Sequence, residues 1–294
     1  MRNLTDLRLQ KARKQILAMV DKMQVNVFKA SQISELLESN REAWHLPWNL
    51  GLKRFIAFLI ETGVIEEVAL ESQLYGDKSV LATGKATDLE IAIAFVPRAY
   101  FSHGTAAYLH GLTDQAPRMF YVNREQTEKR PSGTPLTQQA IDRAFRSQPR
   151  TSKFVFQFRD KRVCVISGKH TGKLEVGNIR GPAGEDLVAT KLERTLVDLA
   201  VRPQYAGGVH EVLAAYEAAK GRASSNVIIA TLKKLDYVYP YHQAIGFYMA
   251  RAGYPKSAQT RLKELGLQFG FYLVAGIKDL DYVEEWKLFV PKRL

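Results

Sequence analysis

The chain has 294 residues, 46% of them apolar and 24% charged, which indicates a folded protein long enough for two domains. Its net charge of +12 favours a polyanionic partner such as nucleic acid; the alternative is a basic surface that only maintains solubility. No apolar run approaches the roughly 18–20 residues needed to cross a bilayer, and the first residues lack the pattern of a signal peptide. We therefore expect a cytoplasmic protein with no membrane partner.

The positive charge is concentrated in two blocks. Residues 1–60 contain 10 Lys and Arg against 5 Asp and Glu, and residues 97–180 contain 15 against 6. Residues 61–96 between them contain 2 against 7, so they form an acidic separator. This distribution favours two basic surfaces that contact nucleic acid phosphates.

The first sixty residues predict three helices. Leu9, Ala12, Ile16 and Val20 recur at helical spacing, and Ser31 is a suitable N-cap for a second helix after a short connection, Val27–Ala30. A third helix is expected from Pro47 to Thr62. Four of its residues are expected to face the core: Leu52, Phe55, Ile56 and Leu59.

Two β-prone runs follow the helices. Val64–Leu70 and Ser79–Ala82 flank a predicted turn at Tyr75–Lys78. Three helices followed by a hairpin is the order of a winged helix-turn-helix, whose third helix enters the major groove while the hairpin touches the DNA backbone. The alternative is a winged helix used only for protein contacts. The candidate DNA-binding residues are Lys29, Ser31, Trp48, Asn49, Lys53, Arg54 and Lys78.

Residues 83–97 fit either a helix or a strand. We place the domain boundary near Thr87, which gives a winged-helix domain at 1–86 and a larger mixed α+β domain at 87–294. The overall fold class is therefore α+β.

The segment Tyr100–Pro117 contains the motif SHGTAAYLHGLTDQAP. Ser102 is a predicted N-cap, Gly111 a left-handed helix end, and the small residues between them predict close packing against the helix. Met119–Val122 is expected to form a buried strand.

A second motif, LERTLVDLAVRPQYAGG, begins at Leu192. The spacing of Val188, Leu192, Leu196 and Leu199 predicts a helix over Leu187–Ala200. Arg194 and Asp198 lie off this stripe as an i,i+4 pair, which is worth a few tenths of a kcal/mol when exposed.

Together the two motifs resemble the AbiEi family, the antitoxins and autorepressors of abortive-infection (type IV) toxin–antitoxin operons, over about two-thirds of the chain. The resemblance implies cooperative binding to inverted repeats in operator DNA upstream of the protein's own operon. It also implies action against a co-encoded nucleotidyltransferase-like toxin, with or without direct contact. The motif residues that it assigns to the antitoxin domain are Ser102, His103, Tyr108, His110, Asp114, Glu193, Arg194 and Asp198. A fold-determining role is favoured for most of these, since both motifs predict helices with strong apolar stripes.

The middle of the chain predicts an exposed loop at Arg124–Thr137, a helix at Thr137–Ser147 and strands at Phe154–Phe158, Arg162–Ser167 and Val176–Ile179. These elements carry a possible second basic patch, either a DNA-backbone contact, a docking face or a solvated edge. Its members are Arg143, Arg146, Arg150, Lys153, Arg159, Lys161 and Arg162.

The last ninety residues are mostly helical. The predicted helices are Val209–Ala219, Ser225–Leu235, Tyr241–Ala252 and Ser257–Leu265. The β-prone runs Phe271–Val274 and Lys287–Val290 are expected to return strands to the main sheet.

The chemistry-bearing residues form no recognisable catalytic motif. SGKHTGK at Ser167–Lys173 lacks the spacing and the Ser or Thr of a P-loop, although it leaves a phosphate-binding basic turn possible. Cys164 is the single cysteine and is expected to be a buried thiol. We therefore expect no enzyme, no cofactor and no metal site. The alternatives are a nucleic-acid-processing enzyme with its active site in the C-terminal domain and a ligand-sensing winged-helix repressor.

Overall fold

The computed structural model describes residues 4–128, 135–292 and 294. Contacts divide the chain into two compact units. The first unit runs to Pro97 and adds Phe156–Lys161; the second comprises Arg98–Val155 and the chain from Arg162 onward. Within the described part of the chain, no helix has both the length and the apolar character that a membrane span requires.

Helices and strands both occur in each of the two units, so the mixed α+β class is confirmed. The helices are α1 (Leu4–Lys22), α2 (Ala30–Asn40), α3 (Leu52–Glu61), α4 (Asp88–Ala94), α5 (His103–Leu109), α6 (Gln138–Arg146), α7 (Leu192–Val201), α8 (Val209–Ala219), α9 (Ser225–Leu235), α10 (Tyr241–Arg251) and α11 (Lys256–Lys263). The strands are β1 (Val27–Phe28), β2 (Glu66–Leu70), β3 (Lys78–Ala82), β4 (Tyr100–Phe101), β5 (Met119–Glu125), β6 (Val155–Phe158), β7 (Lys161–Gly168), β8 (Val176–Arg180), β9 (Asp186–Thr190), β10 (Phe271–Tyr272), β11 (Leu280–Val283) and β12 (Leu288–Pro291).

The first unit packs its three long helices around one apolar core and closes it with a small antiparallel sheet. The predicted stripe of α1 is buried at Leu9, Ala12, Ile16 and Val20. The sheet order is β1-β3-β2, so the segment expected as a simple connection before α2 is a strand that pairs with Leu81 and Ala82. The β2–β3 hairpin is present, with Val68 opposite Val80.

Two predicted helix starts in this unit are wrong. Helix α2 begins at Ala30, so Ser31 lies in its first turn, and Lys29 occupies the N-cap position with its N–H donated to Gln32 Oε1 at 2.8 Å. Helix α3 begins at Leu52 and not at Pro47. The Arg41 guanidinium donates to the carbonyls of Pro47 and Leu50, which holds residues 47–50 in a turn.

Thr87, the expected domain boundary, is the N-cap of α4. Its hydroxyl accepts from the Glu90 N–H, and the Glu90 carboxylate accepts from the Thr87 N–H, a reciprocal cap that explains why residues 88–94 are helical. Helix α4 is grouped with the first unit, whose continuous part ends at Pro97.

The main sheet of the second unit contains β7, β5, β4, β9 and β8 in that order. Strands β5 and β7 are parallel, as are β4 and β9, whereas β4–β5 and β8–β9 are antiparallel. Cys164 is buried in β7, as expected, and burial raises the pKa of its thiol.

The helix predicted over Leu187–Ala200 is wrong in its first third. Residues 186–190 form β9, and the helix begins only at Leu192. Strand β9 is paired on both sides, with β8 and with β4, and this pairing outweighs the helical spacing of Val188. The helices α6 and α8–α11 lie where they were predicted, within one or two residues.

The C-terminal strands form a separate sheet of order β10-β12-β11 and do not return to the main sheet, which corrects that prediction. Part of the loop predicted at Arg124–Thr137, residues 129–134, lies outside the described residues. The core of the second unit is built mainly from α7–α10, with Trp286 and Phe271 among its fully buried side chains.

Candidate functional site

The two motifs of the sequence meet in the second unit. Helix α5 of the first motif packs on α7 of the second. The His110 Nε2–H at the end of α5 donates to the Thr190 carbonyl, just before α7, at 2.7 Å. Gly104 lets α5 approach closely, because a Cβ at this position would lie 2.9 Å from the Tyr205 carbonyl oxygen. Each motif therefore supplies part of the other's packing surface.

A cavity of about 330 Å³ lies beside these helices, within the second unit. His103 from the first motif lines it, together with Arg194, Asp198 and Arg202 from the second. Asn123 on β5 adds a polar side chain to the cavity wall. This volume is in the range of pockets that hold small ligands.

Arg194 and Asp198 form a buried ion pair in the cavity wall. The Arg194 Nε donates to Asp198 Oδ1 at 2.8 Å, and the two side chains are only 5% and 6% exposed. Arg194 Nη1 also donates to the Leu174 carbonyl. The small contribution of an exposed pair therefore does not apply, because the loop before β8 and Tyr237 after α9 lie against this side of α7.

His103 is held neutral and in a strained conformation. Its φ of +51° lies in the left-handed region that residues with a Cβ rarely adopt. Burial, with Arg202 and Arg194 nearby, lowers the pKa of His103 to about 3. Ser102 occupies the N-cap position as predicted, but its hydroxyl bonds His103 Nδ1 at 2.8 Å and not a backbone N–H.

A chain of hydrogen bonds runs behind the cavity through Tyr100. Asn123 Nδ2 donates to the Tyr100 hydroxyl at 2.6 Å, and this hydroxyl donates to Glu125 Oε1 at 3.0 Å. The second polar atom of this amide, Asn123 Oδ1, is buried and accepts no hydrogen bond among the described residues. A buried acceptor without a donor is unusual in a folded protein.

The SGKHTGK turn closes over Glu125. The backbone N–H groups of Thr171 and Lys173 donate to the Glu125 carboxylate at 3.0 and 3.1 Å, and the Thr171 hydroxyl donates to it as well. These hydrogen bonds lower the pKa of Glu125 although burial opposes them. The N–H groups of Thr171 and Lys173 would be the donors of a phosphate-binding turn, but here they donate to the Glu125 carboxylate instead.

Several residues of the cavity lie outside the two motifs that meet in this unit. Tyr237, Tyr239 and Tyr241 form an aromatic wall, and Lys169 Nζ lies 5.6 Å from the Tyr237 ring. Lys169 also donates to the carbonyls of Leu235 and Asp236 at the end of α9. In the sequence, these tyrosines cluster around Pro240, and Lys169 lies in the SGKHTGK turn.

Other motif residues lie outside the cavity lining. Glu193 accepts from the Ser224 N–H at 3.0 Å, which connects α7 to the start of α9. Tyr108 is half-buried and Asp114 is exposed. Their placement is compatible with the fold-determining role that the sequence left open.

The predicted DNA-binding residues all lie in the first unit, mostly at its surface. Trp48 is 83% exposed in the turn before α3, next to the exposed Asn49, so neither is on the helix itself. Lys53 is exposed on α3. Arg54 donates to Asp6 at 2.6 Å and to Glu61 at 2.7 Å, so both ends of its guanidinium are engaged.

The proposed second basic patch is divided between the units. Arg159 and Lys161 belong to the first unit, where Arg159 pairs with Glu66 and Asp88, each at 2.8 Å. The remaining members belong to the second unit: Arg143, Arg146, Arg150, Lys153 and Arg162. Two acidic partners therefore neutralise Arg159 locally.

Among the residues that the structure describes, no group of three or more His, Cys, Asp or Glu side chains is arranged to hold a metal ion. The cavity instead offers guanidinium groups, tyrosine hydroxyls and one unpaired amide oxygen, which together suit binding of a polar ligand.

Comparison with known proteins shows the fold alone. No family model matches the chain, and no curated protein matches its sequence. A crystal structure of the RV2827C protein from Mycobacterium tuberculosis is similar, with a TM-score of 0.59 and 13% sequence identity. The likeness covers 96% of this chain and 91% of the other, so it extends through both units of the chain and the two proteins share a fold.

Proposed function

We propose that this chain is a DNA-binding autorepressor and the antitoxin of a toxin–antitoxin operon, with no catalytic activity of its own. The observation that carries the DNA-binding half is the element order of the first unit: helix, strand, helix, helix, strand, strand, with β3 paired between β1 and β2. This is the order of a winged helix.

In that arrangement α3 is the helix that enters the major groove. Lys53 is exposed on it and is suited to a phosphate or a guanine, and Asn49 in the preceding turn is suited to adenine. Lys78 opens β3 at the hairpin, where a wing contacts the DNA backbone. The partner is operator DNA with inverted repeats.

The antitoxin half rests on the two motifs that resemble the AbiEi family. Their residues pack on each other through α5 and α7, and both line one cavity, so they form a single structural feature of the second unit. The proposed target of the antitoxin is a co-encoded nucleotidyltransferase-like toxin, which it neutralises directly or indirectly.

The DNA-binding half is tested by titrating the protein onto its own upstream DNA at several salt concentrations. The variant Asn49→Ala/Lys53→Ala should bind at least tenfold more weakly and show a salt dependence reduced by about one counterion, since one lysine–phosphate contact is lost. Lys233→Ala/Lys234→Ala, on the exposed end of α9, is the matched control. Equal affinity of all three proteins for operator and unrelated DNA would exclude α3 as the reading helix.

The antitoxin half is tested by expressing the neighbouring toxin gene with and without this chain. Growth should be restored by the wild type and equally by Asn49→Ala/Lys53→Ala, because repression and antitoxin action reside in different units. A toxin that remains lethal despite a soluble, folded chain would contradict the proposal. Unchanged labelled RNA and DNA after incubation with the purified protein would argue against the enzyme alternative.

A further inference from the structure

The cavity beside α7 adjoins a second, more basic one. The neighbouring cavity, about 520 Å³ in volume, shares Val201, Arg202, Tyr239 and Tyr241 with it and is lined on its far side by Arg143 and Arg150. All these residues belong to the second unit. Arg202 and the two tyrosines therefore stand where the two cavities meet.

The joined cavities have an excess of positive charge. Asp198 is the one acidic side chain among the described residues that line them, and Arg194 pairs with it. The guanidinium groups of Arg143, Arg150 and Arg202 form no hydrogen bond or ion pair with any described residue, and that of Arg202 lies 6.0 Å from the Tyr205 ring centroid. Guanidinium groups with free donors are suited to phosphate oxygens, which they bind in pairs.

The lining of the two cavities also contains tyrosines, with Tyr237 in the first cavity and Tyr239 and Tyr241 in both. Tyr237 and Tyr241 pack edge to face at 5.3 Å, and the hydroxyls of Tyr237, Tyr239 and Tyr241 form no hydrogen bond within the described residues. Burial raises the pKa of Tyr241 to about 12, so this hydroxyl remains a donor at neutral pH. Such a surface is suited to the face of a planar ring.

Two further groups indicate that the cavity is built for a ligand. Asn123, 5% exposed, lines the cavity and carries the unpaired acceptor Oδ1. His103 lines the same cavity in a strained backbone conformation, a feature that concentrates at binding sites. A ligand with an N–H or O–H group would provide the donor that Asn123 lacks.

We propose that the joined cavities bind a mononucleotide, with its phosphate on Arg202, Arg143 and Arg150 and its ring against Tyr239 and Tyr241. The polar edge of the ring or the ribose hydroxyls reach Asn123. This inference rests on the second unit alone and does not depend on the proposed DNA binding or antitoxin action.

The test is calorimetric titration of the full chain with purine and pyrimidine nucleoside monophosphates. Adenosine, ribose 5-phosphate and inorganic phosphate are the comparison ligands, since each lacks one part of the nucleotide. At least one monophosphate should bind tenfold or more tightly than its nucleoside and than ribose 5-phosphate. Equal affinity for inorganic phosphate and every nucleotide would show that no ring is recognised and would overturn the site. Tight binding of single-stranded oligonucleotides alone would also overturn it, in favour of a site for an RNA or DNA strand.

Variants separate this site from general electrostatic attraction. Arg202→Gln should weaken nucleotide binding at least tenfold, and Tyr239→Ala should abolish the preference for a nucleotide over ribose 5-phosphate. Arg146→Gln is the matched control, because Arg146 is exposed on the same helix as Arg143 but does not line either cavity. Unfolding curves identical to wild type establish that each variant is folded. Equal loss in Arg202→Gln and Arg146→Gln would overturn the site, and operator binding measured in parallel reports on the first unit independently.

Discussion

Arg194 and Asp198 are one helical turn apart on α7 and form an ion pair at 2.8 Å with both side chains almost completely buried. Because two charges are removed from water together, neither can be lost alone without leaving the other uncompensated. The pair belongs both to the packing of the second motif and to the wall of the cavity. A substitution at either position should therefore change both the stability of the second unit and the wall of the cavity.

Replacement of Asp198 by Ala is expected to lower the free energy of unfolding of the second unit by about 3–5 kcal/mol, because the Arg194 charge would remain buried without a partner. The measurement is urea unfolding monitored by circular dichroism. Asp186→Ala is the control, since Asp186 pairs with Arg180 at the exposed surface and should cost under about 1 kcal/mol. Similar losses in the two variants would contradict the burial of the α7 pair.

Stability should fall in mild acid because of His103. The pKa of His103 in the folded protein is about 3, below the ordinary value of 6.5. Between these two values the unfolded chain binds a proton that the folded protein does not, so the free energy of unfolding is highest above pH 6.5 and falls as the pH falls toward 3. Within that pH range, the free energy of unfolding of the wild type should fall by up to about 1.4 kcal/mol per pH unit more than that of His103→Gln. Unfolding at pH 7.5 and pH 5 measures this difference. Parallel pH profiles for the two proteins would show that His103 is not held neutral.

Gly246 on α10 is expected to tolerate no side chain. A Cβ there would lie 2.1 Å from the Trp286 ring, and Trp286 is fully buried. Gly246→Ala should therefore destabilise the second unit by about 1–3 kcal/mol or more through overpacking. Gly84→Ala, where no atom lies within 4 Å of the added Cβ, should have a small effect. Thermal unfolding distinguishes the two, and equal melting temperatures would contradict the packing of Trp286.

Cys164 should be inert in the folded protein. It is 3% exposed, and burial raises the pKa of its thiol, so the reactive thiolate is scarce and inaccessible. A thiol reagent should label it slowly in buffer and completely in urea. Rapid stoichiometric labelling of the native protein would indicate that β7 opens readily.

Arg54 and Lys53 are adjacent but should behave differently in operator binding. Arg54 is held by Asp6 and Glu61, whereas Lys53 is exposed on α3. Lys53→Ala should weaken DNA binding with little change in stability. Arg54→Ala should mainly loosen the contact between α1 and α3, which parallel binding and unfolding experiments would reveal. The opposite pattern would place Arg54 at the DNA.

Local patterns predicted most helices well because apolar spacing, caps and left-handed glycines are properties of short segments. Gly111, for example, ends α5 at a φ of +63° as its position suggested. Strand β9 was mistaken for helix because its partners β4 and β8 come from elsewhere in the chain. The same holds for the cavity: His103, Arg194 and Arg202 lie in the two motifs, whereas Asn123 and Tyr237 come to line it only through long-range packing.

The hairpin tip Phe156–Lys161 is grouped with the first unit although the chain on either side of it belongs to the second. In the first unit, Gln157 exchanges two backbone hydrogen bonds of 2.8 Å with Glu71, and Arg159 pairs with Glu66 and Asp88. A fragment that stops at Pro97 would leave these partners exposed and unpaired. Weak DNA binding by such a fragment would then reflect the loss of Phe156–Lys161 and not the absence of a binding surface. Functions are therefore better assigned to each unit by point variants in the intact chain.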